Sequence, residues 1–155
     1  MLILIYMNSQ SKKMNISDIM TKKVITVEMD DPLSIVKEIF DNAKFHHLIV
    51  IDEGKFAGIV AERDLLNAIS PNIGTNRYTP RDLETLNKRV HQIMVRNAPS
   101  TYPGNNVNEA IEMFNTKQIS CLPIVDGDNN VVGIVTWHDI IRNFWPIAKA
   151  TIKVA

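Results

Sequence analysis

The sequence predicts an α+β fold made of two like units, each running strand, helix, strand, strand, helix, packed together with pseudo-twofold symmetry. Three observations carry that expectation. First, the chain repeats itself: Gly58-Ile59-Val60-Ala61-Glu62-Arg63-Asp64-Leu65-Leu66 returns as Gly133-Ile134-Val135-Thr136-Trp137-His138-Asp139-Ile140-Ile141, with the glycines 133 − 58 = 75 residues apart. Ile19-Met20 with Ile93-Met94, Phe40 with Phe114, and Ile51-Asp52 with Val125-Asp126 keep an offset of 74. The one-residue slip falls where the turn Asp52-Glu53-Gly54-Lys55 becomes Asp126-Gly127-Asp128-Asn129-Asn130. Self-similarity at a fixed offset decides the architecture before any single element does. Second, each copy alternates short apolar runs of strand type with amphipathic helical stripes. Third, half of a 155-residue chain is too small to bury a stable core by itself, so the copies are expected to share one.

Residues 1–13 read as an appendage to that pattern. The apolar run Met1–Met7 is too short to span a bilayer, and it has neither the basic start nor the small-residue cleavage site of a secretory signal. A short strand or a dimer contact is the sharper alternative for it. The first copy is placed at residues 14–70. Ile16–Met20 forms a helical turn and Val24–Val27 a strand. Asp31 suits an N-cap and Pro32 the first helical position, with Leu33, Val36, Ile39, Phe40 and Ala43 as the buried stripe. His47–Ile51 is a buried strand, Asp52–Lys55 a hairpin turn, Phe56–Val60 the returning strand and Glu62–Ile69 the closing helix. Residues 71–89 are a linker, Pro- and Gly-bearing at first and then charged and helix-compatible. The second copy, residues 90–144, repeats the order: Pro99–Thr101 as a short strand, a helix from Val107 capped by Asn106 with Glu109, the paired strands Cys121–Val125 and Val131–Val135, and a closing helix Trp137–Phe144 that Pro146 ends. Pro123 implies an edge or an interrupted ladder in its strand. Residues 145–155 are a tail.

Composition narrows the function. Apolar residues make up 45% and charged residues 22%, and 17 basic residues balance 17 acidic ones. That balance opposes a nucleic-acid footprint, which needs clustered Lys and Arg. A single cysteine, Cys121, excludes an intrachain disulfide and fits a reducing, cytoplasmic setting. The four histidines and Cys121 follow no metal-ligand spacing, so no metal site is expected. No nucleophile–base pair, Gly-rich phosphate loop or carboxylate dyad stands out. The expectation is a protein without catalytic activity or membrane attachment.

The chemistry concentrates at the repeated helix starts. Thr136-x-x-Asp139 reads either as a capping box or as a ligand site, where the carboxylate accepts from a ribose diol, as acidic side chains do in dinucleotide folds, and the helix amides face phosphate. The first copy keeps Asp64 but has Ala61, a poor N-cap, at the position of Thr136. Capping therefore does not by itself account for Asp64, although the helix dipole contributes. Arg63 and His138 occupy equivalent positions (138 − 63 = 75) and either face phosphate or are solvated. Trp137 reads as a packing or interface residue rather than a base stacker, and Cys121 as inert.

The two-copy layout, the Ile-Met openings and the two Gly-Ile-Val-x-x-x-Asp endings resemble a tandem pair of CBS domains, a Bateman module, over about residues 16–143. The resemblance implies two CBS repeats with clefts that bind adenosine-containing ligands. It places a ribose-binding Asp on Asp64 and Asp139, and a phosphate- or ribose-contacting hydroxyl on Thr136, degraded to Ala61 in the first copy. The base-lining positions fall on Ile25, Thr26, His46, His47, Ser100, Thr101, Ser120, Cys121, Leu122 and Pro123. The implied regulatory ligand is an adenine nucleotide (AMP, ADP or ATP), with S-adenosylmethionine, NAD or a cyclic dinucleotide as further candidates. The implied assembly is a homodimer contacting through Leu65, Leu66, Ile140, Ile141 and Phe144, with a protein partner unknown. A ligand-free interaction scaffold is the alternative.

Overall fold

A computed structural model describes residues 14–152, with side chains as far as Phe144. The chain divides into two compact units that do not coincide with the two copies. One is residues 25–98; among the described residues, the other joins 14–24 to 99–152.

In the unit of residues 25–98, β1 (Thr26–Glu28) runs parallel to β2 (His47–Asp52), which pairs antiparallel with β3 (Lys55–Ala61). Glu53 and Gly54 form the two-residue turn between β2 and β3, both at positive φ (48° and 80°). Two positive φ values give the turn the twist that a tight hairpin requires. Helix α1 (Ile16–Ile19) belongs to the other unit. Helix α2 (Leu33–Asn42) buries Leu33, Val36 and Phe40 at helical spacing, and α3 (Glu62–Ala68) adds Leu65. The expected cap of α2 is displaced by one residue. Pro32 is the N-cap, and the Asp31 carboxylate instead accepts from the Glu28 N–H at 2.8 Å, closing the turn before the helix. The first strand begins two residues later than expected, at Thr26. The linker carries α4 (Pro80–Glu84), capped by Thr79. Around it, Asp82 accepts from the hydroxyls of Ser70 (2.5 Å) and Thr79 (2.7 Å), from the Thr79 N–H (2.6 Å) and from the Asn72 amide (3.3 Å).

Val90 and Met94 complete this core, although they open the second copy. Val95 exchanges backbone hydrogen bonds with Ile59 (2.8 and 3.1 Å), and the fit depends on Gly58. A Cβ there would stand 2.4 Å from the Val95 carbonyl oxygen and 2.8 Å from the Met94 methyl.

The other unit mirrors the exchange. Ile16 and Ile19 of α1, from the first copy, are buried with Val107, Ala110 and Phe114 of α5 (Val107–Lys117), with Leu122 and Ile124 of β4 (Cys121–Val125), and with Val135 of β5 (Val131–Thr136). Thr21 exchanges backbone hydrogen bonds with Ile134 (2.9 and 3.0 Å), over Gly133, where a Cβ would stand 2.7 Å from the Met20 sulfur. Each copy's leading turn thus serves the core of the opposite copy, with Ile16 matching Val90 and Met20 matching Met94 (90 − 16 = 94 − 20 = 74).

The expected strand at Pro99–Thr101 is reduced to one bridge, Thr101 to Ile124. The cause is Pro123, which stands where the first copy has Ile49, a residue that pairs with Thr26 of β1. Proline lends its carbonyl to the Thr101 N–H (3.1 Å) but has no N–H to return, so the ladder stops. Helix α6 (Trp137–Ile152) does not end at Pro146. The missing N–H leaves only the carbonyl of Arg142 without its helical donor, and the backbone continues for six residues. Among the described residues no helix is long and apolar enough to cross a membrane.

Candidate functional site

Strand β5 delivers Thr136 to the start of α6, and one helical turn later Asp139 folds back on it. Asp139 Oδ2 accepts from the Thr136 N–H at 2.7 Å and from the Thr136 hydroxyl at 2.8 Å. Its other oxygen, Oδ1, accepts from the Thr21 hydroxyl at 3.3 Å. The acid half of a capping box is therefore formed, while the Thr136 hydroxyl donates to the carboxylate. A carboxylate has about four lone-pair sites, so three donors leave acceptor capacity on Oδ1. Trp137 stacks its ring against Phe114, centroids 4.9 Å apart, which makes it a packing residue.

In the first copy Asp64 also folds back, accepting from the Ala61 N–H at 3.0 Å. The back-bond needs no cap hydroxyl, so helix capping accounts for Asp64 as well as for Asp139. His47 lies across the β2–β3 ladder from Ala61. Its pKa is lowered chiefly by burial, then by His46; Asp64 opposes this and Arg63 reinforces it. His46 Nδ1 contacts Glu62 Oε2 at 2.5 Å. The equivalent of His47 in the second copy is Cys121 (121 − 47 = 74), opposite Thr136. Burial pushes its thiol up to about 12, which leaves it un-ionised and unreactive.

The sequence-derived candidates thus fall into two groups. His47, Arg63 and Asp64 come together in one unit, with Thr26 paired to Ile49 on the same strand as His47 and Ile25 half-exposed just before β1. Thr136 and Asp139 come together in the other, beside an exposed His138. Ser100 is half-buried, and Thr101 is buried with its hydroxyl accepting from the Asn105 amide at 3.0 Å. Leu122 does not line a site: it is fully buried in the apolar core, because its place in β4 turns it toward α5 and α6. Pro123 is buried in the same strand. Leu65, Ile140 and Phe144 are likewise core residues, at 2%, 4% and 2% exposure, so they cannot form a dimer contact. Only Leu66 and Ile141 of that set are exposed. Sequence reasoning missed Thr21, whose place beside Asp139 depends on the exchanged leading turns, and the pairing of His46 with Glu62. Among the described residues no group of three or more His, Cys, Asp or Glu is placed to hold a metal.

The CBS domain family matches residues 16–71 and 90–145, and the chain belongs to that family. Protein MJ1426 of Methanocaldococcus jannaschii is 26% identical over 162 residues, covering 90% of this chain and 96% of that protein. MJ1225 of the same organism is 27% identical over 130 residues; the match takes in 83% of this chain but only 46% of that relative's length. A solved structure of the CBS domain pair of protein MJ0100, in complex with 5′-methylthioadenosine and S-adenosyl-L-methionine, matches with a TM-score of 0.69 and 28% identity over 86% of this chain and 97% of that one.

Proposed function

We propose that the chain is a regulatory, non-catalytic module that binds an adenosine-containing ligand at the Thr136–Asp139 helix start. Adenine nucleotides (AMP, ADP, ATP) lead the candidates, followed by S-adenosylmethionine and NAD. Its output is a change of shape or partner affinity, which requires the ligand to bind two states unequally. The observation that carries this reading is a half-buried carboxylate, Asp139, fixed beside a hydroxyl at a helix start with acceptor capacity remaining on Oδ1. The adenosine ligands of the MJ0100 pair support the choice of class. A ligand-free scaffold is the second reading. The back-bonds of Asp64 and Asp139 favour it, since both acids already have a structural task.

Thermal shift and calorimetry on the full chain with AMP, ATP, S-adenosylmethionine and NAD separate the two. A ligand at about 100 times its Kd adds about 2.7 kcal/mol, roughly 5–11 °C in Tm for a chain of this size. Asp139→Asn keeps an oxygen for the Thr136 N–H and removes the charge. It should weaken binding about tenfold to a hundredfold, the range for a hydrogen bond to a charged group. Asp64→Asn should cost less, because no hydroxyl stands at position 61. Absence of any shift with all four ligands leaves the scaffold reading.

A further inference from the structure

We infer that Thr21, from the segment that opens the first copy, is a positioning residue for the ribose-binding carboxylate of the second. The inference rests on the adenosine reading above and says which residue sets the carboxylate's geometry. Thr21 is held from both sides of its backbone, donating its N–H to the Ile134 carbonyl (2.9 Å) and accepting from the Ile134 N–H (3.0 Å). Its hydroxyl then reaches Asp139 Oδ1 at 3.3 Å while Thr136 holds Oδ2. The carboxylate is pinned at both oxygens, so its rotation is restricted before any diol arrives, and less freedom is lost on binding.

The first copy supplies the control. Val95 stands at the position equivalent to Thr21 (95 − 21 = 74) and makes the same pair of backbone hydrogen bonds, to Ile59, with a side chain that cannot donate. Ala61 likewise lacks the Thr136 hydroxyl. Both hydroxyls of the second site are thus replaced by apolar groups of similar or smaller size, while Asp64 still accepts from the Ala61 N–H at 3.0 Å. Because valine occupies the same backbone setting in this very chain, Thr21→Val is a substitution the fold accepts.

The test is calorimetry with AMP and with 2′,3′-dideoxy-AMP, on wild type, Thr21→Val and Thr21→Ser, all in an Asp64→Asn background that weakens the other diol acceptor. Thr21→Val should lower AMP affinity about fivefold, equivalent to ~1 kcal/mol, and leave dideoxy-AMP affinity unchanged; Thr21→Ser should restore AMP binding. Equal AMP affinity in wild type and Thr21→Val overturns the inference. So does an equal loss for both nucleotides, which marks a merely structural role. Failure of the unsubstituted chain to bind any of AMP, ATP, S-adenosylmethionine and NAD overturns the adenosine reading itself, and is seen before any Thr21 variant is made.

Discussion

Replacing Gly58 by alanine tests the exchange of leading turns directly. Neither Gly58 nor Gly133 has a positive φ, so backbone conformation alone would favour alanine at both by about 0.4–1 kcal/mol. Sterics oppose it unequally. At Gly58 the new methyl would meet the Val95 carbonyl oxygen at 2.4 Å, about 1 Å inside normal contact, and that oxygen is tied to Ile59 by the bridge. Relief requires lifting the whole Val95 segment and losing two backbone hydrogen bonds, at about 0.5–1.5 kcal/mol each, on top of about 1–3 kcal/mol for overpacking. Net of the conformational gain, Gly58→Ala should cost about 3 kcal/mol, roughly 6–12 °C in Tm. At Gly133 the nearest atom is the Met20 sulfur at 2.7 Å, with the Thr21 carbonyl oxygen at 3.2 Å. A thioether swings aside readily, so Gly133→Ala should cost about 1 kcal/mol, roughly 2–4 °C. Circular dichroism melts of both variants, alone and with Met20→Ala or Met94→Ala, decide the matter. Met20→Ala should offset Gly133→Ala, whereas Met94→Ala should leave Gly58→Ala unrescued because the carbonyl remains. A Gly58→Ala chain melting within about 2 °C of wild type would refute the exchanged packing.

Acidification should loosen the linker. Ser70, then Thr79 and Asn72, hold the Asp82 carboxyl down to about 2, so its contribution is full above the ordinary carboxylate range near 4 and is lost as pH falls toward 2. Protease cleavage within residues 70–79 should rise over that window in wild type and be raised and pH-independent in Asp82→Asn. His47 predicts a second window. Its pKa is lowered, chiefly by burial, so the folded state prefers the neutral ring, and the stabilisation present above pH 6.5 is lost as the ring is forced to charge below it. Urea midpoints at pH 7.5 and 5.5 should differ more for wild type than for His47→Gln, and an equal difference would show His47 to be irrelevant. The homodimer that the family resemblance implies should run through Leu66 and Ile141, exposed at 62% and 58%. Sedimentation should show a dimer that the double substitution Leu66→Ser with Ile141→Ser converts to monomer, and a monomeric wild type at micromolar concentration refutes it.

Much of the fold was legible because it rests on local rules. The buried stripe Leu33–Val36–Phe40, the two-residue turn at Glu53-Gly54 and the helix from Val107 all follow from spacing and turn chemistry within a dozen residues. The Pro123 reading was sound for the same reason: a missing N–H has one consequence wherever it falls. Two errors share the opposite cause. Pro146 does not end its helix, because a single lost bond is outweighed once an amphipathic helix is already packed. Leu65, Ile140 and Phe144 are core and not outer-face residues, and helical periodicity marks an apolar stripe without saying which neighbour covers it. The leading turns show this limit most clearly. Ile-Met and Gly-Ile-Val were recognised as paired signatures, yet nothing in a linear repeat says that Met20 belongs over Gly133 and Met94 over Gly58.

That exchange also bears on the two readings of the helix-start acids. As caps, Asp64 and Asp139 are equivalent, since each satisfies the N–H of the last strand residue. A purely structural site has no use for further donors on an already bonded, partly solvated carboxylate, because a solvated acid finds water without them. Yet Asp139 takes two hydroxyls that Asp64 lacks, one from its own helix start and one from a segment 118 residues away. Hydroxyls brought from two directions restrict the carboxylate's rotation, and restricted rotation matters where a particular orientation must be ready for an incoming group. Capping explains why an acid is present in both copies; the asymmetry of its hydroxyl partners is what points to a ligand in the second.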